Sequence, residues 1–126
     1  MPVAIVDGRV RVVTDLKDLT GTTPVELYRC LPPFLKFIIR KLMAFNTDTA
    51  DHTLILGEYN TTTGSWSKDK LTVRVPAGQV IVLDERQLPA DYVMTTDPAS
   101  AILSWATKLG ESATAPVRVK AEFEVA

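Results

Sequence analysis

A chain of 126 residues, 46% hydrophobic and 23% charged, has the make-up of one globular domain. Its 14 Lys and Arg against 15 Asp and Glu leave a net charge of −1, which speaks against nucleic acid as a partner, because binders of nucleic acid carry a basic face. One cysteine and one histidine exclude an internal disulfide and a zinc site of ordinary composition. A chain of this size buries roughly two thirds of its unfolded surface, enough for a core without staples.

The N-terminal MPVAIVDGRVRVV lacks the charged and apolar regions of a signal peptide, so synthesis in a cytoplasm is expected. Asp7-Gly8 between VAIV and RVRVV predicts a hairpin, because a type I′ turn needs positive φ at both central residues. A polar, Pro-marked connection follows. In it Thr23-Pro24-Val25-Glu26 reads as a capping box with Pro at the first helical position, predicting a short helical turn through about Arg29. Cys30 lies in a mostly apolar stretch, where a buried small hydrophobe is the plain reading and a reactive thiol the alternative.

Phe34 to Asn46 is ambiguous. Phe37, Ile39, Lys41, Met43 and Phe45 alternate with Lys36, Ile38, Arg40, Leu42 and Ala44, and both sets are largely apolar. A strand covered on both faces is favoured over a helix because turn-rich, β-prone sequence follows. This stretch is too short and too charged to cross a membrane. HTLILGEYN, LTVRVPAG, QVIVLDE, a short strand within RQLPADYVMTTDPAS, and AILSWATKLG come next, before a loop over 110–116. The chain ends on its clearest element. Val117, Val119, Ala121, Phe123 and Val125 alternate with Arg118, Lys120, Glu122 and Glu124, as in a strand with one buried and one wet face. Short strands at about ten-residue spacing, separated by turn residues, predict an all-β antiparallel sandwich. Residues 1–34 are expected to form a hairpin or arm with its connection, and 35–126 the sandwich core.

Catalytic parts are scarce. NTDTAD (46–51) has oxygen ligands at Asn46 and Asp48, yet the sixth position of a calcium loop is Asp51 rather than Gly and the twelfth is Gly57 rather than Glu, so Asx turns are expected instead. Ser65-Trp66-Ser67-Lys68 fits a Ser-x-x-Lys pattern without its companion elements. Asp84 and Glu85 are adjacent and would point to opposite faces of a strand. Asn60-Thr61-Thr62 fits a glycosylation sequon and reads as turn sequence. No catalytic residue, metal site or cofactor is expected. Trp66, in the polar tip TTTGSWSKDK, and Tyr59 beside it are the candidate partner contacts; the alternative is that the tip folds back and Trp66 covers an end of the sandwich. Trp105 is expected in the core.

AFNTDTADHTLILGEYN, a variable tip, LTVRVPAGQVIVLDERQLP, a short apolar segment and a charged alternating terminal strand resemble, over about Leu35 to Val125, small virion proteins of tailed phages and related prokaryotic viruses. The resemblance implies a jelly-roll-like sandwich acting as a head-decoration, capsid-accessory or connector component. It implies localisation to the virion, oligomers, and contact with a major capsid or other virion protein. The VAIV/RVRVV hairpin, set before a long polar connection, is itself expected to pack on another copy in a homo-oligomer, a trimer being the first choice. It transfers no catalytic residue. A carbohydrate- or other ligand-binding β-sandwich with Tyr59 and Trp66 as its stacking platform is the alternative, and an enzyme of cupin form a third that the scarcity of histidine disfavours.

Overall fold

The computed structural model describes residues 3–6, 9–29, 36–97, 99 and 101–125. Eleven strands are found among them: β1 (Val3–Val6), β2 (Arg9–Val13), β3 (Lys17–Leu19), β4 (Val25–Arg29), β5 (Lys36–Asn46), β6 (His52–Asn60), β7 (Ser65–Val75), β8 (Val80–Leu83), β9 (Met94–Thr95), β10 (Leu103–Leu109) and β11 (Val117–Val125). Every pairing is antiparallel. One sheet runs β1-β2-β11-β5-β8, with β3 also on β11 and β9 also on β5; the other runs β4-β10-β6-β7.

The pairings are nested. β6 pairs with β7, β5 with β8 and β9, β4 with β10, and β2 and β3 with β11. A long antiparallel double strand rolled up so that its pairs alternate between two sheets is a jelly roll, as the resemblance implied. Strands from both sides of residue 34 share each sheet. The N-terminal hairpin expected to reach a neighbour lies instead beside β11 of its own chain, with Val12 opposite Phe123 and Val13 opposite Glu122. Its turn at Asp7-Gly8, like Cys30, is outside the described residues.

The helical turn expected after Thr23 is corrected to strand β4. Thr-Pro-x-Glu can cap a helix, but Val25, Leu27 and Tyr28 are β-compatible, the strand pairs with β10, and Leu27 and Tyr28 are buried. Tertiary pairing outweighs a local propensity of under about 1 kcal/mol per residue. Tyr28 then bridges the two sheets. Its ring stacks on Phe123 at 5.2 Å and meets Phe37 edge-on at 5.7 Å.

β5 explains its own ambiguity. Against β11, Lys41 faces Glu122 and Ile39 faces Phe123, so Arg40 is an extra residue in the ladder. One extra residue reverses the alternation. Phe37 and Ile39 point inward before the bulge, Leu42 and Ala44 after it, and Met43 and Phe45 turn outward. β11 keeps its period throughout, with Val117, Val119, Ala121, Phe123 and Val125 all buried. Trp105 is fully buried, as expected.

Candidate functional site

Tyr59 and Trp66 are brought together, though not on a loop tip. The strand begins at Ser65, and Tyr59 and Trp66 are cross-strand partners on the outer face of the four-stranded sheet. Cross-strand partners share a face of the sheet. The indole lies over Gly57, where an added Cβ would fall 2.3 Å from Trp66 Cζ2. Its Nε1 donates to Asp69 Oδ1 at 2.7 Å, and Lys108 Nζ sits 4.2 Å from the ring. Backbone, carboxylate and ammonium thus surround the indole. The tip itself is a tight turn: Asn60 Oδ1 accepts from the N–H groups of Thr62 and Thr63, which is the turn role read for the sequon.

The Asx turn expected at Asn46 is present, with the Asp48 N–H donating to Asn46 Oδ1 at 2.9 Å. Asn46 Nδ2 donates to the carbonyls of Ala50 and Val75. The same corner holds the chain's one histidine, which the sequence reading left unassigned. His52 is buried, its Nε2 2.7 Å from Asp48 Oδ2 and its Nδ1 2.8 Å from Glu111 Oε1. Asp48 also accepts from the N–H groups of Thr49 and Thr114, and Glu111 from that of Thr53. The His52 hydrogen bond, with these N–H donors, lowers the Asp48 pKa to about 2. The two carboxylates, Asp48 foremost, raise that of His52. Asp51, next in sequence, pairs with Arg74 and accepts from the Ala77 N–H at 2.8 Å. This network ties the β5–β6, β7–β8 and β10–β11 connections into one rigid end of the roll. Both ring nitrogens of His52 are committed to carboxylates, so neither is offered to a metal or a substrate.

A second buried carboxylate was also missed. Glu58 points inward from β6 and accepts from the Tyr92 hydroxyl at 2.5 Å. Tyr92 packs edge-on against Trp105 at 5.9 Å, with Lys70 Nζ 3.7 Å from its ring centre and Lys68 Nζ 3.9 Å from Glu58 Oε2. Burial, then the Glu58 contact, pushes the Tyr92 pKa up to about 12, so the phenol stays protonated and donates. Glu58 and Tyr92 are 34 residues apart, and no local pattern announces their meeting. The remaining motifs do not assemble. Ser65 Oγ bonds Thr63 Oγ1, not Lys68. Asp84 pairs with Arg86 while Glu85 reaches Arg40.

The β5–β8 side of the larger sheet's outer face carries exposed apolar side chains. The bulge turns Met43 and Phe45 outward, and they lie opposite Val82 and Val80 of β8. Val80 and Val82 are each 53% exposed and Phe45 39%. Four apolar residues therefore form a contiguous stripe, flanked on β11 by Lys120 opposite Met43 and Arg118 opposite Phe45. A hollow of about 230 Å³ beside the stripe, lined by Val13, Lys41, Met43, Lys120, Ala121 and Glu122, is smaller than the roughly 300–1,000 Å³ usual for small-molecule sites. A more open hollow of about 440 Å³ is lined by Lys41 and by three pairs of opposite charge, Arg11 with Glu122, Arg40 with Glu85 and Arg86 with Asp84.

No family model and no curated protein matches the sequence. Among solved structures, the cryo-EM structure of the virus-like particle of the giant freshwater prawn Macrobrachium rosenbergii extra small virus is similar over 99% of this chain and 82% of that one, with 15% identity and a TM-score of 0.41.

Proposed function

We propose that this protein is a structural component of a virus particle, a decoration, accessory or connector piece that works through contacts with its own copies and with the capsid shell. Jelly rolls serve in capsid, lectin and cupin domains alike, so the fold by itself does not choose among them. The choice rests on the sites. Against the lectin reading, the half-buried indole of Trp66 already packs on Gly57, donates to Asp69 and meets the Lys108 ammonium, so its contacts are within the chain. Against the cupin reading, the single histidine is held by two carboxylates at a sandwich end.

The observation that carries the proposal is the outward stripe of Met43, Phe45, Val80 and Val82 on an otherwise tightly tied domain. A contiguous exposed apolar stripe with a polar rim marks a surface made to be covered by another macromolecule. Many weak identical contacts on a symmetric shell give firm attachment through effective concentration. Mass spectrometry of purified virions, with binding of the protein to empty shells and to isolated capsid subunits, tests this. Presence in virions and tight binding to shells but weak binding to subunits is the expected result. Absence from virions, together with saturable oligosaccharide binding lost in Trp66→Ala, would return the function to the ligand-binding class.

A further inference from the structure

The two edges that matter in this molecule are treated differently. β7, the outer strand of the smaller sheet, carries Lys68, Asp69, Lys70 and Arg74, and two bulges interrupt its ladder with β6. Charges and bulges of this kind are how proteins keep an edge from pairing. β8, the outer strand of the larger sheet, reads Val-Ile-Val-Leu, with no charge, no proline and no bulge against β5.

The hydrogen-bond phase shows which backbone groups of β8 are free. The Asn46 N–H donates to the Gln79 carbonyl, and the Thr47 N–H to the Pro116 carbonyl. Residues along a central strand bond alternately to its two neighbours. So Asn46, Ala44 and Leu42 bond toward β8, while Phe45 and Met43 bond toward β11. In the register of β5 with β8, Ile81 and Leu83 are then the bonded partners of Ala44 and Leu42. The N–H and C=O groups of Val80 and Val82 face away from the sheet. No strand lies on that side among the described residues. The same two valines carry the exposed side chains.

We propose that the β8 edge pairs with β8 of a second copy of this chain, antiparallel about a two-fold axis, with Val80 of each copy exchanging both backbone hydrogen bonds with Val82 of the other. The strand is its own complement in this register. Ile81 meets its counterpart, each exposed valine lies beside an exposed valine, and Leu83 and Asp84 fall opposite Gln79 and Gly78, so no like charges oppose. The stripes of Met43, Phe45, Val80 and Val82 join across the axis into one apolar surface. A C2 contact of this kind is isologous and closes on itself, which favours a dimer over the trimer expected from the N-terminal hairpin. The contact is short, well under the extent of a standard stable interface, so in solution it is weak and concentration-dependent. The inference goes beyond the virion reading and stands without it.

Sedimentation equilibrium of the purified protein from about 10 µM to 1 mM, with two variants, tests the pairing. The wild type should show a reversible monomer–dimer equilibrium. Val82→Pro removes only an N–H that faces away from β5, so it should leave the monomer's thermal midpoint within a few degrees and weaken dimerisation tenfold or more, two hydrogen bonds being lost per dimer. Val80→Lys should weaken it at least as much. A monomer across the whole range overturns the proposal. So does a dimer indifferent to both substitutions, which would leave the β8 edge to an extended segment of some other polypeptide.

Discussion

His52 Nε2 lies 2.7 Å from Asp48 Oδ2, both side chains buried, and Glu111 holds the other ring nitrogen. This contact makes stability depend on pH in a stated direction. Asp48 ionises well below its ordinary 3.8, so the stability it adds is complete above that value and is lost as pH falls toward about 2. His52 titrates above its ordinary 6.5, so its contribution is complete below pH 6.5 and is lost as pH rises through the raised value. Asp51 and Asp84, also lowered by their arginine partners, share the acid limb, which leaves the alkaline limb as the diagnostic one. Thermal midpoints should fall as pH rises above 6.5 in the wild type and stay flat there in His52→Gln. Parallel profiles in the two proteins would mean that His52 carries no pH-dependent stability.

Gly57 has no room for a side chain. A Cβ there would stand 2.3 Å from Trp66 Cζ2 and 2.4 Å from the Lys68 carbonyl oxygen. Gly57→Ala should cost about 1–3 kcal/mol in urea denaturation, as overpacking does. Trp66→Ala should relieve part of that cost but not all, because the Lys68 backbone remains. The double mutant should therefore be more stable than the sum of the singles implies. Simple additivity would show that the indole does not lie over Gly57.

Phe123 and Glu122 are neighbours with opposite fates. Phe123 is fully buried against Tyr28, and Glu122 pairs with Arg11 at 3.0 Å on the outer face. Phe123→Ala should lose about 3–5 kcal/mol. Glu122→Ala should lose less than about 1 kcal/mol, since a partly exposed ion pair contributes little. Comparable losses at the two positions would place the strand in the wrong register.

How far the fold could be read depended on whether a strand kept one period. Val117 to Val125 did, and its inner face was legible residue by residue. The strand types and the Asx turn at Asn46 were also legible, because alternation and turn chemistry are local. What failed was set by partners distant in sequence. Val25–Arg29 looked helical until β10 lay beside it, and Trp66 looked like a loop tip because the first half of β7, around Ser65, Ser67, Lys68, Asp69 and Lys70, is polar on both faces. The contacts His52–Glu111 and Glu58–Tyr92 join residues 59 and 34 positions apart, and nothing near either member in the chain marks them. The apolar stripe was hidden by the bulge in β5.

That bulge supplies the sharpest test of the architecture. Strict alternation from Phe37 and Ile39 would put Met43 in the core and Leu42 outside. The extra residue at Arg40 reverses this, and its guanidinium spans Glu124 at 2.9 Å and Glu85 at 3.4 Å on the outer face, which holds the bulged residue outward. Leu42 is fully buried, while Met43 lies on the outer face opposite Val82. Leu42→Lys should therefore cost more than about 4 kcal/mol or prevent folding, because an unpaired charge enters the core. Met43→Lys should change monomer stability by less than about 1 kcal/mol, as surface substitutions do. Circular dichroism melts of the two variants, measured at a concentration where the protein is monomeric, decide between the registers. A folded Leu42→Lys beside an unfolded Met43→Lys would remove the bulge from the structure, and the outward stripe with it.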